Sequence, residues 1–338
     1  HARNRPHCGA EELKAGHYVY RLARLSPVLV GALGESGVFS YDSGYLARAD
    51  AAPLSLSLPL RGGVRRCRDT SLFEGLLAEG QARAALASEL ALSEEDWLGL
   101  LAVCGKECVG DVLICDDPVW LQGPTKVAPL GEDELRGVFL SDSQTARENV
   151  TTRLSLAGTI KTALAHMRGM PIDKGWLRPV GLSASTHILK TSHLRDLPEV
   201  EYLCMSAAAS CGMNVARTAL LDVGNPVLAI ERFDRRVSTA EERLVVGRLH
   251  QEDMAQAMGI TGGSKYAELE RGSVRAMAEL LRRRSVSPAR DVASLAQMVC
   301  LAFLVGNCDA HLKNYAIYMS VLRVTVGHTL ALHRRMTS

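Results

Sequence analysis

The chain reads as an α+β protein in three parts: a small β-rich N-terminal subdomain, an antiparallel sheet carrying one helix, and a helical region. Three observations point there. Short apolar runs that alternate or cluster fill residues 19–60, the signature of strands. Two apolar runs flank Gly224-Asn225-Pro226, which is a hairpin signal. The long apolar stretch Val292 to Val305 has the length of a helix rather than a strand. With 338 residues and a 47% hydrophobic share, the chain exceeds one average domain and can fill more than one core.

Charge excludes some classes of function. Lys and Arg total 39 against 37 acidic residues, so no overall positive field advertises nucleic acid or a membrane surface. Nine cysteines, Cys8, Cys67, Cys104, Cys108, Cys115, Cys204, Cys211, Cys300 and Cys308, show no CxxC pairing, which favours reduced core thiols in a cytoplasmic protein over a disulfide framework. No apolar run approaches the roughly 20 residues needed to span a bilayer, and no secretory signal is evident.

Taken in order, residues 1–16 are polar and unpatterned and read as a disordered or foreign lead-in. Val19 to Leu33 and Gly37 to Asp42 predict a hairpin. Leu54-Ser55-Leu56-Ser57-Leu58-Pro59-Leu60 alternates at period two and predicts a half-buried edge strand, since Pro59 restricts ladder pairing. Residues 81–104 predict two short helices, with Ser93-Glu94-Glu95-Asp96 offering an N-cap and first-turn acids. Asp116 to Glu134, rich in Pro and Gly, predicts a linker. Trp176 to Lys190 reads as turn then strand and Val200 to Cys211 as an Ala-rich helix preceded by Glu199. Val215 to Leu221 and Val227 to Glu231 form the hairpin. Arg232, Arg235 and Arg236 fit a solvated basic face. Leu249 to Gly259 and Val274 to Arg284 read as helices, separated by Lys265-Tyr266, and Ser285 to Pro288 as a turn. Val292 to Val305 predicts a buried helix that Gly306 terminates.

The stretch Gly306-Asn307-Cys308-Asp309-Ala310-His311-Leu312-Lys313-Asn314-Tyr315 then sits on a loop held by the core. Asp309 and Asn314 have the D-x-x-x-x-N spacing of a phosphoryl-transfer loop, where the Asp accepts a hydroxyl proton and the Asn ligates Mg2+. Lys313 between them would neutralise charge on the transferring group. Loop residues of these types also serve simple turns. A hydrolase or metal site around Asp309 and His311 needs a nucleophile or ligand cluster that the sequence does not offer.

The string G-N-x-D-A-H-x-K-N-Y resembles the catalytic loop of the HipA family of serine/threonine kinases, the toxin halves of bacterial toxin-antitoxin pairs. Leu54 to Leu60, Phe73 to Gly80 and Gly105 to Gly110 resemble successive signatures of that family's N-terminal subdomain, and are read as building the fold. Leu154 to Leu164 resembles its phosphate loop, one residue shorter between Gly158 and Lys161 than the family pattern. Ala229 to Arg236 resembles its A-V-E-R-F-D-R hinge. Leu249 to Gly259 resembles its P-Q-E-D-M-C-Q segment, with His250 in place of Pro.

The resemblance implies a HipA-like, protein-kinase-like fold divided as 17–117 N-terminal subdomain, 118–138 linker, 139–233 kinase N-lobe and 234–319 partial C-lobe. It implies ATP and Mg2+ as cofactors, with Asp309 and Lys313 catalytic, Asn314 on the metal, and Ser155, Ala157, Gly158, Lys161, Lys190, Glu231 and Phe233 around ATP. Glu201 is the implied partner of Lys190, and Ser155 the implied autophosphorylation site, where phosphate would expel the loop by charge. Implied partners are a HipB-like antitoxin, operator DNA through that antitoxin, and a protein substrate such as glutamyl-tRNA synthetase or another translation factor; no membrane is implied. The family's L-x-P-x-Y-D motif, whose Asp holds Mg2+, has no counterpart, because no Asp or Glu follows Asp309. Residues 320–338 read as an aberrant, out-of-frame tail. A catalytically dead fragment that binds nucleotide or antitoxin is therefore the alternative to an active kinase.

Overall fold

A computed structural model describes residues 15–22, 26–60, 64–65, 70–78, 80–140, 160–192, 196–240, 243–260, 273–307, 310–320 and 323–328. The lead-in before residue 15, the resembled phosphate loop through residue 159, Lys265-Tyr266, and Cys308 and Asp309 lie outside those residues.

The N-terminal part is an antiparallel sheet. Strands β1 (Ala15–Arg21), β2 (Val28–Gly34), β3 (Phe39–Tyr41), β4 (Val64–Arg65) and β5 (Val112–Cys115) lie in the order β4-β3-β2-β1-β5. Helices α1 (Ser43–Leu46), α2 (Ser71–Gly75), α3 (Gly80–Glu89) and α4 (Trp97–Cys104) accompany it. One core holds Phe39, Leu54, Leu58, Phe73, Leu100 and Ile114. The cap of α4 is Asp96, whose carboxylate accepts from the Gly99 amide at 2.9 Å; Ser93 bonds Glu95 and does not cap.

Leu54 to Leu60 forms no strand. Its polar groups are satisfied by side chains instead of a ladder: the Tyr41 hydroxyl donates to the Leu58 carbonyl at 2.6 Å and accepts from the Leu54 amide at 2.9 Å. Alternating Leu and Ser therefore marks an irregular, buried segment. The expected linker is also more than a connector. It supplies β6 (Lys126–Pro129), the edge of the second sheet, and α5 (Glu132–Leu140).

That sheet contains β7 (Ile160–His166), β8 (Trp176–Val180), β9 (His187–Thr191), β10 (Thr218–Asp222) and β11 (Pro226–Glu231), in the order β10-β11-β9-β7-β8-β6. Helix α6 (Leu197–Ser210) packs against β9, β10 and β11, and β10 and β11 form the expected hairpin. A turn at Phe233-Asp234 leads to the paired strands β12 (Arg235–Ala240) and β13 (Arg243–Arg248).

The third part begins with strand β14 (Gln251–Asp253), where a helix was expected to start, and continues as α7 (Met254–Met258). Asp253 and Gln256 form a reciprocal capping box, which fixes the helix start there. After α8 (Ser273–Arg284) and α9 (Pro288–Leu304), β15 (Tyr315–Ser320) pairs with β14 on one side and with β16 (Arg323–His328) on the other. Residues 323–328, in the stretch read as an aberrant tail, are thus part of a sheet.

Helix α9, read as a buried helix, is buried on one face, through Asp291, Leu295, Met298 and Ala302. Phe303 and Leu304 are exposed. Its end matches expectation: the Asn307 amide donates to the Ala302 carbonyl at 2.8 Å and the Gly306 amide to Phe303 at 3.2 Å, a Schellman motif. Gly306 has φ +66°, a conformation that suits glycine.

Candidate functional site

Lys190 is not an edge residue. Its strand β9 lies between β7 and β11, with Lys190 opposite Lys161 in the first pairing and Leu228 in the second. The Lys190 ammonium meets the buried carboxylate of Glu201, on the first turns of α6, at 2.5 Å. Helix α6 places Glu201 there because Pro198 fixes its start and one face packs on the sheet. A central-strand lysine clamped by a helix glutamate is the arrangement that holds the phosphates of a nucleotide in kinases.

The hinge segment 231–235 splits its functions between backbone and side chains. The Glu231 amide bonds Arg217 and the Arg232 amide bonds Thr186, both at 2.8 Å. Among the described residues, no donor is bonded to the Glu231 carbonyl and no acceptor to the Phe233 amide. An acceptor and a donor two residues apart can meet the amino group and ring nitrogen of adenine.

The side chains face the other way, into a seam with the N-terminal subdomain. Arg232 and Arg235 are buried, so the expected solvated basic face is confined to Arg236. Arg232 forks onto Asp234 at 3.0 and 2.8 Å, and Arg235 reaches Asp234 at 2.8 Å. Glu107, from the 3-10 turn Gly105–Glu107, accepts from Ser185 at 2.8 Å, Arg232 at 3.1 Å, Arg235 at 3.2 Å and Arg248 at 2.6 Å. Burial alone would push the Glu107 carboxyl up, but Arg248, Arg235 and Arg232 hold it at about 2. Burial in turn lowers Arg235 to about 10, assisted by its neighbour Arg232.

Gly110 passes through this seam with φ +71°, its amide on Asp234 at 2.7 Å and its carbonyl on Arg235 at 2.9 Å. An added Cβ would stand 3.0 Å from the Gln251 backbone nitrogen. Beyond it, Asp111 pairs with Arg21 at 2.9 Å and with His250 at 2.7 Å, and His250 also contacts the Leu54 carbonyl at 3.0 Å. Glu252, fully buried, accepts from the Leu56 amide at 3.0 Å and shares a 2.5 Å hydrogen bond with Ser55. Desolvation raises its carboxyl to about 8, and neighbouring Asp253 adds to the effect.

Sequence reasoning missed this seam. Its one signal is that Arg232, Asp234 and Arg235 recur within four residues.

Of the other expected site residues, Lys313 and Asn314 lie on a 3-10 turn between α9 and β15, the Asn314 amide on the His311 carbonyl at 2.9 Å. Ser155, Ala157, Gly158 and Asp309 lie outside the described residues, and Lys161 is placed by its backbone alone. The structure therefore brings together Lys190, Glu201 and, by register, Lys161. Among the described residues, no group of three His, Cys, Asp or Glu could hold a metal ion, and Cys104, Cys108, Cys115, Cys204, Cys211 and Cys300 are free thiols. No helix among them is long and apolar enough to cross a membrane.

Comparison with known proteins gives a consistent result. The family model described as HipA-like C-terminal domain matches residues 154–328, and that described as HipA N-terminal domain matches residues 23–115. A Sinorhizobium fredii protein named "Putative kinase Y4mE" is 34% identical over 295 residues, covering 82% of this chain and 67% of the relative. The serine/threonine-protein kinase toxin HipA of Shewanella oneidensis is 27% identical over 282 residues, covering 79% of this chain and 63% of the relative. The chain thus spans about two thirds of the length of these relatives. A solved structure of the Shewanella oneidensis MR-1 toxin-antitoxin system HipA, HipB and operator DNA superposes with a TM-score of 0.72 at 25% identity, covering 93% of this chain and 75% of that one.

Proposed function

Since the chain belongs to the HipA family of serine/threonine kinase toxins, we propose that it binds ATP between the Lys190–Glu201 pair and the hinge and transfers the γ-phosphoryl group to a protein hydroxyl. The observation that carries this reading is the 2.5 Å contact between Lys190 and Glu201. It fixes a partly buried cation where phosphate oxygens are to be held, and its geometry needs no ligand to form.

In this reading Lys190 and Lys161 hold phosphates, the Glu231 carbonyl and Phe233 amide seat adenine, and Ser155, Ala157 and Gly158 approach the triphosphate. Asp309 accepts the proton of the target hydroxyl as its oxygen bonds the γ-phosphorus, the bond from that phosphorus to the bridging oxygen breaks, and ADP leaves. Lys313 offsets the charge that develops. Asn314, with Asp309 nearby, is the protein's oxygen donor for Mg2+, a set too small to form a cage without the triphosphate's own oxygens, so no step is assigned to the metal. Ser155 is the proposed autophosphorylation site.

The Shewanella oneidensis complex contains HipB and operator DNA. By that likeness a HipB-like antitoxin is the proposed partner, with operator DNA reached through it; the motif resemblance, and not that complex, is the ground for a proposed protein substrate such as glutamyl-tRNA synthetase or another translation factor, in the cytoplasm. Residues 310–338 hold no Asp or Glu in place of the family's L-x-P-x-Y-D motif, and the second reading set against the first is a chain that binds nucleotide or antitoxin without phosphotransfer.

The deciding experiment is intact mass before and after Mg-ATP, with peptide mapping and an Asp309→Asn control. Phosphate on Ser155 that vanishes in the control is the expected result. Folded protein that is thermally stabilised by ATP yet gains no mass would select the second reading.

A further inference from the structure

Tyr318, on β15 four residues after Asn314, reaches back to the hinge. Its hydroxyl donates to the Phe233 carbonyl at 2.6 Å, and its ring meets the Phe233 ring edge-on at 5.3 Å between centroids. The hydroxyl itself cannot drift, because β15 is pinned on both sides of that residue. Tyr318 is opposite Gln251 in the β14 pairing, and the Met319 amide donates to the His250 carbonyl at 2.9 Å. On the hinge side, the Leu249 amide donates to the Asp234 carbonyl at 2.9 Å.

A trans peptide is planar, with its carbonyl and amide pointing in opposite directions. Holding the Phe233 carbonyl on Tyr318 therefore fixes the Asp234 amide on the far side of that plane. If the plane turned over, the Phe233 carbonyl would leave Tyr318 and be free to accept a hydrogen bond beside the Phe233 amide. The two states suit different purines. Adenine offers a donor amino group beside an acceptor ring nitrogen, and the Glu231 carbonyl with the Phe233 amide complements that edge. Guanine offers an acceptor carbonyl beside a donor ring N–H, and needs an extra hinge acceptor that only the turned plane would supply.

We infer that Tyr318 is a specificity-determining positioning residue, whose hydroxyl locks the Phe233–Asp234 peptide in the orientation that accepts adenine nucleotides and rejects guanine nucleotides. This rests on the nucleotide-binding reading above and assigns its purine selectivity to one hydrogen bond. Nothing in the inference requires phosphotransfer, so it holds for an active kinase and for a nucleotide-binding fragment alike.

The test is calorimetric titration of the full chain and of Tyr318→Phe with ATP and with GTP. The wild type is expected to favour ATP, and the variant to narrow the ATP-to-GTP affinity ratio by about tenfold, the scale of one hydrogen bond in a binding equilibrium. A purely structural role would weaken both nucleotides together and leave the ratio unchanged, which would overturn the inference while leaving the nucleotide reading standing. Wild type that binds neither nucleotide would overturn both. Should Tyr318→Phe not fold, Tyr318→Leu, which keeps an apolar contact without a hydroxyl, reads the same ratio.

Discussion

The seam around Glu107 and the C-terminal end of α9 depart from the usual distribution of polarity in opposite directions. At the seam, Arg232, Asp234, Arg235 and Arg248 are buried together with Glu107. At the end of α9, Phe303 and Leu304 are 85% and 79% exposed. The contrast shows where structural specificity resides in this fold. Buried charges are costly unless fully paired, so the seam tolerates one relative placement of the N-terminal subdomain and the hinge. The α9 face makes no such demand, since an exposed apolar side chain in contact with water constrains nothing.

The largest effect is expected from breaking the seam. Glu107→Ala leaves Arg232, Arg235 and Arg248 facing one another with only Asp234 to offset them. Removing one partner of a buried ionic cluster costs roughly 3–5 kcal/mol, and urea unfolding should show that loss. Glu107→Gln, which keeps the shape and the acceptor oxygen, should lose less. A small loss in the alanine variant would mean that water enters the seam and would break the comparison. Acid acts in the same direction. The Glu107 carboxyl sits at about 2, and so does Asp111, where burial is outweighed by His250 and Arg21. Both groups are held below their unfolded values, so their contribution is complete above the ordinary carboxylate range and is lost as pH falls toward 2.

Glu252 responds to pH with the opposite sign, and this sharpens the difference between a paired and an unpaired buried acid. Its folded value of about 8 lies above the unfolded one. The folded chain keeps a proton that the unfolded chain has lost, so stability is greatest below the unfolded value and declines as pH rises to 8. Glu252→Gln keeps an acceptor for the Leu56 amide and removes the titration. The variant should gain on the wild type by about 3 kcal/mol between pH 5 and pH 8, read as diverging melting temperatures across that range. Parallel pH profiles would show that Glu252 ionises freely in the folded state.

The same residues explain what the sequence made legible. In the second sheet the β10–β11 hairpin, β9 and α6 follow their apolar runs, whereas β6 lies in the stretch read as a linker and β8 begins at Trp176, where a turn was expected; the Lys190–Glu201 pair was implied by the family resemblance. The irregular path of Leu54 to Leu60 was not legible, because period-two alternation reports a face to be buried and not which groups satisfy the backbone. Here Tyr41 does so, 13 residues from Leu54 in sequence. The seam was hidden for a similar reason. Each of its acids and arginines is an ordinary polar residue in its own neighbourhood, and only the tertiary fold brings Glu107 within 3.1 Å of an arginine 125 residues away. Burial of one face of α9 was legible from its apolar content, but which face was not, since Ala293, Ala296, Cys300 and Phe303 are as apolar as the buried set.

That exposed face supplies the smallest expected effect. Phe303 retains nearly all of its surface in the folded chain, so replacing it removes little burial, and Ser and Phe have similar helix propensities. Phe303→Ser should change the urea midpoint by an amount equivalent to less than about 0.5 kcal/mol, the range of ordinary surface substitutions. It should also reduce self-association in sedimentation, because it interrupts the apolar patch that Phe303 forms with Leu304. Glu107→Ala and Phe303→Ser measured side by side then give the comparison its number: a paired acid in the seam whose removal costs several times more than loss of an exposed phenylalanine side chain. If Phe303→Ser instead destabilised the chain as strongly as Glu107→Ala, the α9 face would have to be covered in solution, and the contrast between a demanding seam and an indifferent helix end would fail.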